Sequence, residues 1–200
     1  MGKVVARVFR FRNFHHFRFF FLSVFVAVSA FASASNKLDI RVCSDCEYKT
    51  ISAAIAAVSQ HGKITVEDGL YKEHDLKIQK SLELIAHGNA VVDGENAGTH
   101  VFHILSSDVK IKGFTIKNTG LSYIQELSGI RVTLSGKCEL TENHFDNTTY
   151  GIYLENSRDC ILRDNTFRGR AESEAGGGNG IHLWQGENVL TWITERASSN

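Results

Sequence analysis

Four cysteines are the residues best suited to chemistry in this chain: Cys43 and Cys46 in a Cys-x-x-Cys, and Cys138 and Cys160 exactly one 22-residue step apart. Two thiolates at Cys-x-x-Cys spacing suit Cu(I), a soft ion. The same pair can also close a local disulfide or exchange with another thiol. A second Cys-x-x-Cys, which a zinc site would need, does not occur. The single methionine is Met1, so copper would have to be held by Cys or His rather than by thioether sulfur. The copper or disulfide candidates are therefore Cys43 and Cys46.

The elements that position these residues follow from an echo. Residues 129–145 read GIRVTLSGKCELTENHF, and residues 151–167 read GIYLENSRDCILRDNTF. Gly129, Gly151 and Gly180 align, as do Ile130, Ile152 and Ile181. Cys138 aligns with Cys160, Leu140 with Leu162, Asn143 with Asn165 and Phe145 with Phe167. The same register places Val109, Ile111 and Ile116 one coil earlier. Two steps are longer by seven residues, through LSYIQEL (121–127) and AESEAGGG (171–178), each just before the repeated Gly. Short strands recurring at this period cannot form a meander. They suit a coil that returns one strand spacing higher, about 4.8 Å, so that each turn shares its core with the next. The expected fold is all-β: a right-handed parallel β-helix of about 22-residue coils.

Before the coils, Ile51, Ala54, Ile55 and Val58 lie at i, i+3, i+4 and i+7, which predicts a helix over 50–61. Thr50 is its expected N-cap and Gly62 its stop. Its role would be to cover the open end of the solenoid. Proline is absent, although average usage of about 5% would give roughly ten. Turns are expected to rest on Gly, Asn, Asp and Ser.

The first 34 residues carry five basic side chains and no acid, then the apolar run FFFLSVFVAVSAFA and the small residues Ala32–Ala34. This is the pattern of a secretory signal peptide, and the apolar run is short for a membrane span. The expected organisation is a signal peptide at 1–34, then a strand, the Cys-x-x-Cys and the capping helix at 35–62. Coils at 63–189 and an off-pattern tail at 190–200 follow. Leu190 and Trp192 have the wrong parity for the core, so the chain is expected to leave the pattern after Val189 and to read as a piece cut short of a longer solenoid. Without its first 34 residues the chain has 17 basic and 22 acidic side chains, a balance that argues against nucleic acid as a partner.

In this alignment His103, Arg131, Tyr153 and His182 form one outward column. His103 and His182 are about 14 Å apart at the strand spacing, too far to share a metal, and solvated histidines are the expectation. Cys138 and Cys160 point inward and are expected as a core ladder of small apolar residues, although their Cα atoms fall within disulfide range. The two insertions are expected beside the column. The candidate binding surface is Tyr123, Glu126, Arg131, Tyr153, Glu155, His182 and Trp184.

VKIKGFTIKNTG, ELSGIRVTLS, GIYLENSRDCILRDNTFRG and GNGIHLW, in this order and with both insertions, resemble the NosD type of periplasmic β-helix protein over about Ile40 to Val189. Such chains usually hold about twice as many residues, with more coils. The resemblance implies export to the periplasm and a role in maturing nitrous oxide reductase, a copper enzyme. It also implies copper as a candidate cofactor, and components of the copper enzyme or of a transporter as protein partners. An accessory role is expected rather than catalysis, because no Gln-Asp or Asp-Asp pair of pectin-active β-helices is present. The alternative is an exported β-helix that binds or cleaves carbohydrate, suggested by Tyr153 and Trp184 beside the insertions.

Overall fold

A computed structural model describes residues 36–122, 124–169 and 179–192, with only the backbone of Trp192. The expected signal segment 1–34, Tyr123, the insertion at 171–178 and the end of the tail lie outside the described residues.

The described chain winds as a right-handed parallel β-solenoid of about six turns, with three faces per coil. The first face stacks β1 (Lys37–Val42), β2 (Val58–Val66), β5 (Leu82–Ala86), β8 (Val109–Lys112), β11 (Glu139–Thr141), β14 (Ile161–Arg163) and β17 (Leu190–Trp192). The second stacks β3 (Gly69–Lys72), β6 (Ala90–Asp93), β9 (Thr115–Lys117), β12 (His144–Thr148) and β15 (Thr166–Gly169). The third stacks β4 (Leu76–Ile78), β7 (Phe102–Ile104), β10 (Ser128–Thr133), β13 (Tyr150–Glu155) and β16 (Asn179–Trp184). Every pairing is parallel, and the register is the one the echo predicts. Leu140 lies between Ile111 and Leu162, Phe145 between Ile116 and Phe167, and Ile152 between Ile130 and Ile181.

Stacked like residues account for the recurring letters. The rings of Phe145 and Phe167 lie 5.0 Å apart and nearly parallel, at 9°. A Cβ on Gly129 would meet Phe145 at 2.6 Å, and one on Gly151 would strike Phe167. The repeated glycine thus exists to admit the repeated ring. At the bend after the first face, Asn143 Nδ2 donates to Ile111 O and to Asn165 Oδ1, and Asn143 Oδ1 accepts from Phe114 N. Asn165 Oδ1 also accepts from Asn143 N, and its Nδ2 donates to Leu140 O. Both side chains are buried, so each satisfies backbone groups that water cannot reach. Outward on the first face, Asp39, Lys63, Glu83, Lys110 and Glu139 alternate in sign through the paired register, with Lys110 within 3.5 Å of Glu83 and 3.3 Å of Glu139.

Helix α1 (Ile51–Ala57) buries Ile51, Ala54 and Ile55 and packs on β1, β2 and β4. Thr50 caps it as expected, and Glu73 adds a carboxylate to the N–H groups of Ile51 and Ser52. It ends earlier than periodicity predicts: Gly62 is not its stop, because Val58 already begins β2. The Ala56 and Val58 carbonyls accept from Lys80 Nζ instead.

Three further expectations change. Cys138 and Cys160 form a disulfide rather than a thiol ladder, their Cα atoms 4.5 Å apart on successive rungs. Turns use the left-handed backbone at Leu134, Lys137, Glu142 and Gln185 as well as at Asn and Asp. There the rung above fixes the turn: Lys137 N donates to Arg158 O, and Glu142 N to Arg163 O. The backbone also keeps its register past Val189, with Leu190 paired to Ile161 and Thr191 to Leu162. Only the side chains depart, leaving Leu190 half exposed.

Two substitutions test the stacking. Gly151→Ala should destabilise the protein by about 1–3 kcal/mol through overpacking against Phe167, read as a lower urea midpoint at unchanged slope. Asn143→Ala and Asn165→Ala should each destabilise the protein, the first by stranding Phe114 N–H and Ile111 C=O, the second by stranding Asn143 N–H and Leu140 C=O, at about 1–3 kcal/mol per buried orphan. An unchanged midpoint in either variant would contradict the ladder.

Candidate functional site

Parallel pairing on the third face brings Lys77, His103, Arg131, Tyr153 and His182 into a single outward column. Rung spacing and the optimal separation of planar groups are nearly the same length, so these side chains stack. The Arg131 guanidinium lies 4.6 Å over the Tyr153 ring, and the Tyr153 and His182 rings lie 4.8 Å apart at 19°. Tyr150 stands edge-on to both, at 5.6 Å from Tyr153 and 5.4 Å from His182. A desolvated cation–π contact of this kind contributes about 2 kcal/mol.

Carboxylates complete the site. Arg131 pairs with Glu155 at 2.8 Å and with Glu126, from the insertion before β10, at 3.5 Å. Thr133 Oγ1 links the column: it donates to Glu155, accepts from Arg131 Nε and is 3.1 Å from His103 Nε2. Burial, a hydrogen bond with Glu126 and that carboxylate's charge push the Tyr153 hydroxyl up to about 12, so it remains a proton donor. His100 packs beside His103, 5.6 Å between ring centres. Its Nδ1 accepts from Ser128 N at 3.2 Å and bonds Ser128 Oγ at 3.0 Å, which places its proton on Nε2. Burial first, and the nearby Arg131 and His103 next, lower the His100 pKa to about 4. His103 is lowered too, by burial and then by Arg131.

The structure thus brings Glu126, Arg131, Tyr153, Glu155 and His182 together, with Trp184 paired to Glu155 and about half exposed. Tyr123 lies outside the described residues, as does the second insertion. Two expectations need correction. Tyr153 is not an exposed aromatic: at 2% exposure it is covered by Arg131, Tyr150 and His182. His103 is not freely solvated but half-buried and bonded to Thr133. Periodicity missed His100, Ser128, Tyr150 and Thr133. The first three lie at or before the start of a strand, outside the alternating core register, although the i, i+3 pair His100 and His103 is visible in THVFHIL.

Donor chemistry can be tested against copper. Cys43–Cys46 and Cys138–Cys160 are disulfides, so neither pair offers a thiolate. His100 Nδ1 is already an acceptor, and His103 Nε2 is engaged by Thr133. Among the described residues no three His, Cys, Asp or Glu side chains converge as a metal site. These donors do not fit a resident copper ion.

A family model described as "Periplasmic copper-binding protein (NosD)" matches residues 56–195. No curated protein matches the chain. Among solved structures, pectin methylesterase PemA from Erwinia chrysanthemi is similar over 78% of this chain, at TM-score 0.47 and 16% identity. This chain spans 66% of that structure's length. A pectin methylesterase from Aspergillus niger is similar over 80% of this chain and 69% of its own, at TM-score 0.41 and 15% identity. No helix among the described residues is long and apolar enough to cross a membrane.

The half-buried, neutral His100 has a pH consequence. Its folded pKa lies below the ordinary 6.5, so the unfolded chain binds the proton more readily, and stability falls as pH drops from about 6.5 to about 4. Urea unfolding across that range should show this decline, and His100→Asn should flatten part of it. An identical pH slope in the variant would place the titration elsewhere.

Proposed function

Because the chain belongs to the NosD family, whose members are described as periplasmic copper-binding proteins, we propose that it is an exported accessory protein that helps assemble the copper sites of nitrous oxide reductase through protein contacts. The family match over residues 56–195 carries this reading. The third face supports it: side chains held by ion pairs and ring stacking form a surface whose geometry is set before any partner arrives, which lowers the ordering cost of docking. Half-exposed Trp184 beside Glu155 supplies the aromatic-and-charge mixture favoured at interfaces. Copper in this account is cargo of the assembly, and the partners are the reductase or components of its copper-transporting apparatus.

The carbohydrate alternative rested on Tyr153 and Trp184 as a sugar platform. With Tyr153 covered, Trp184 stands without its proposed companion, and the accessory reading is preferred.

In a strain lacking this gene, reductase should be recovered poor in copper, and wild-type protein should restore loading. A double variant, His182→Ala with Trp184→Ala, should restore it poorly while accumulating at normal levels. A first-face control, Lys63→Ala with Glu83→Ala, should restore it fully. Fully loaded reductase from the deletion strain would end the proposal, and full rescue by the third-face variant would move the docking surface elsewhere.

A further inference from the structure

Arg131 holds two carboxylates of different standing. Glu155 belongs to the rung directly above, bonds Arg131 at 2.8 Å and is also held by Thr133 Oγ1. Glu126 comes from the insertion, sits at 3.5 Å, and is 36% exposed where the Arg131 side chain is 13% exposed. The Tyr153 ring lies 4.6 Å from the same guanidinium, and burial and the nearby Glu126 keep its hydroxyl protonated. Among the insertion's described residues Ile124 is 97% and Leu121 52% exposed, and Ser122 bonds Gln125 N and Leu127 N within the loop. Leu127, buried at the strand entrance, anchors the far end. The result is a seat in which a mostly buried guanidinium, stacked on a protonated phenol, is occupied by a carboxylate from the insertion. His100 and His103 beside it are neutral, so Arg131 supplies the seat's positive charge.

The geometry points to a carboxylate-binding site on this face, with Glu126 as the built-in occupant that an acidic side chain of a protein partner displaces. The inference rests on the docking reading of the third face and names the chemistry that docks there: an Asp or Glu of an acidic segment, received by Arg131 and Tyr153. Displacement frees the insertion, so that exposed Ile124 and Leu121 become available to the same partner. Glu155, tied into the coil, stays in place and keeps Arg131 aligned. Competition by Glu126 keeps the seat weak towards free carboxylates and selective for a segment that makes further contacts.

The experiment follows the Arg131 Nε–H signal in isotope-labelled protein titrated with a tetraglutamate peptide, with tetraglutamine as the neutral control. Wild type should bind weakly, and Glu126→Gln should tighten binding about fivefold or more by removing the competitor. Tyr153→Phe should lose part of that gain, and Arg131→Lys most of it, with circular dichroism confirming the fold of each. Tetraglutamate that leaves the Arg131 signal unmoved in both wild type and Glu126→Gln would overturn the seat. Equal affinity for the two proteins would overturn the role of Glu126. Response to an oligogalacturonide but not to tetraglutamate would overturn the peptide assignment in favour of an acidic glycan. None of these results depends on copper loading, so the seat can fail while the docking face stands, and the reverse.

Discussion

Parallel strands hydrogen-bond at one spacing, about 4.8 Å, and this chain places an equivalent residue at that height on each turn. A residue's principal neighbour is therefore its own counterpart one coil away. Phenylalanine must stack on phenylalanine and asparagine must satisfy asparagine. Charges on the first face must alternate, because like charges at that separation would repel. The glycines at 129 and 151 follow from the same constraint, since the ring on the neighbouring face occupies the space a methyl group would need.

The third face uses that spacing differently. Unlike groups stand in the column, yet each is planar or forked, so guanidinium, phenol and imidazole stack at the height that the backbone dictates. Their charges are met locally: Arg131 by two glutamates, His100 and His103 by loss of the proton. His100 Nδ1 and His103 Nε2 are engaged by Ser128 and Thr133, and the four cysteine sulfurs are paired. A surface so fully bonded internally is suited to presenting a fixed shape. The insertion that carries Glu126 adds exposed apolar side chains, Ile124 and Leu121, beside it.

Much of the fold could be read from residue identity because a solenoid converts sequence repetition directly into spatial contact. Aligning Gly129, Gly151 and Gly180 is enough to pair β10, β13 and β16, and the in-out parity of Phe102 and His103 follows from the same register. The site was legible to the same extent. The column could be named, but not its closure, because Tyr153 is covered by Arg131, Tyr150 and His182 packing on it, and periodicity does not specify how unlike side chains on successive rungs stack.

Composition and spacing by themselves determined the coil, its register, the inward ladders, the capping helix and the family likeness, since each depends on contacts between residues one repeat or one helical turn apart. Tertiary structure alone decided that Cys138 and Cys160 join, that the helix yields to a strand at Val58, that His100 is held neutral against Ser128, and that Glu126 lies on Arg131 and Tyr153. Those outcomes depend on which side chains the three faces and their insertions bring together through space, a relation that no regular interval along the chain encodes.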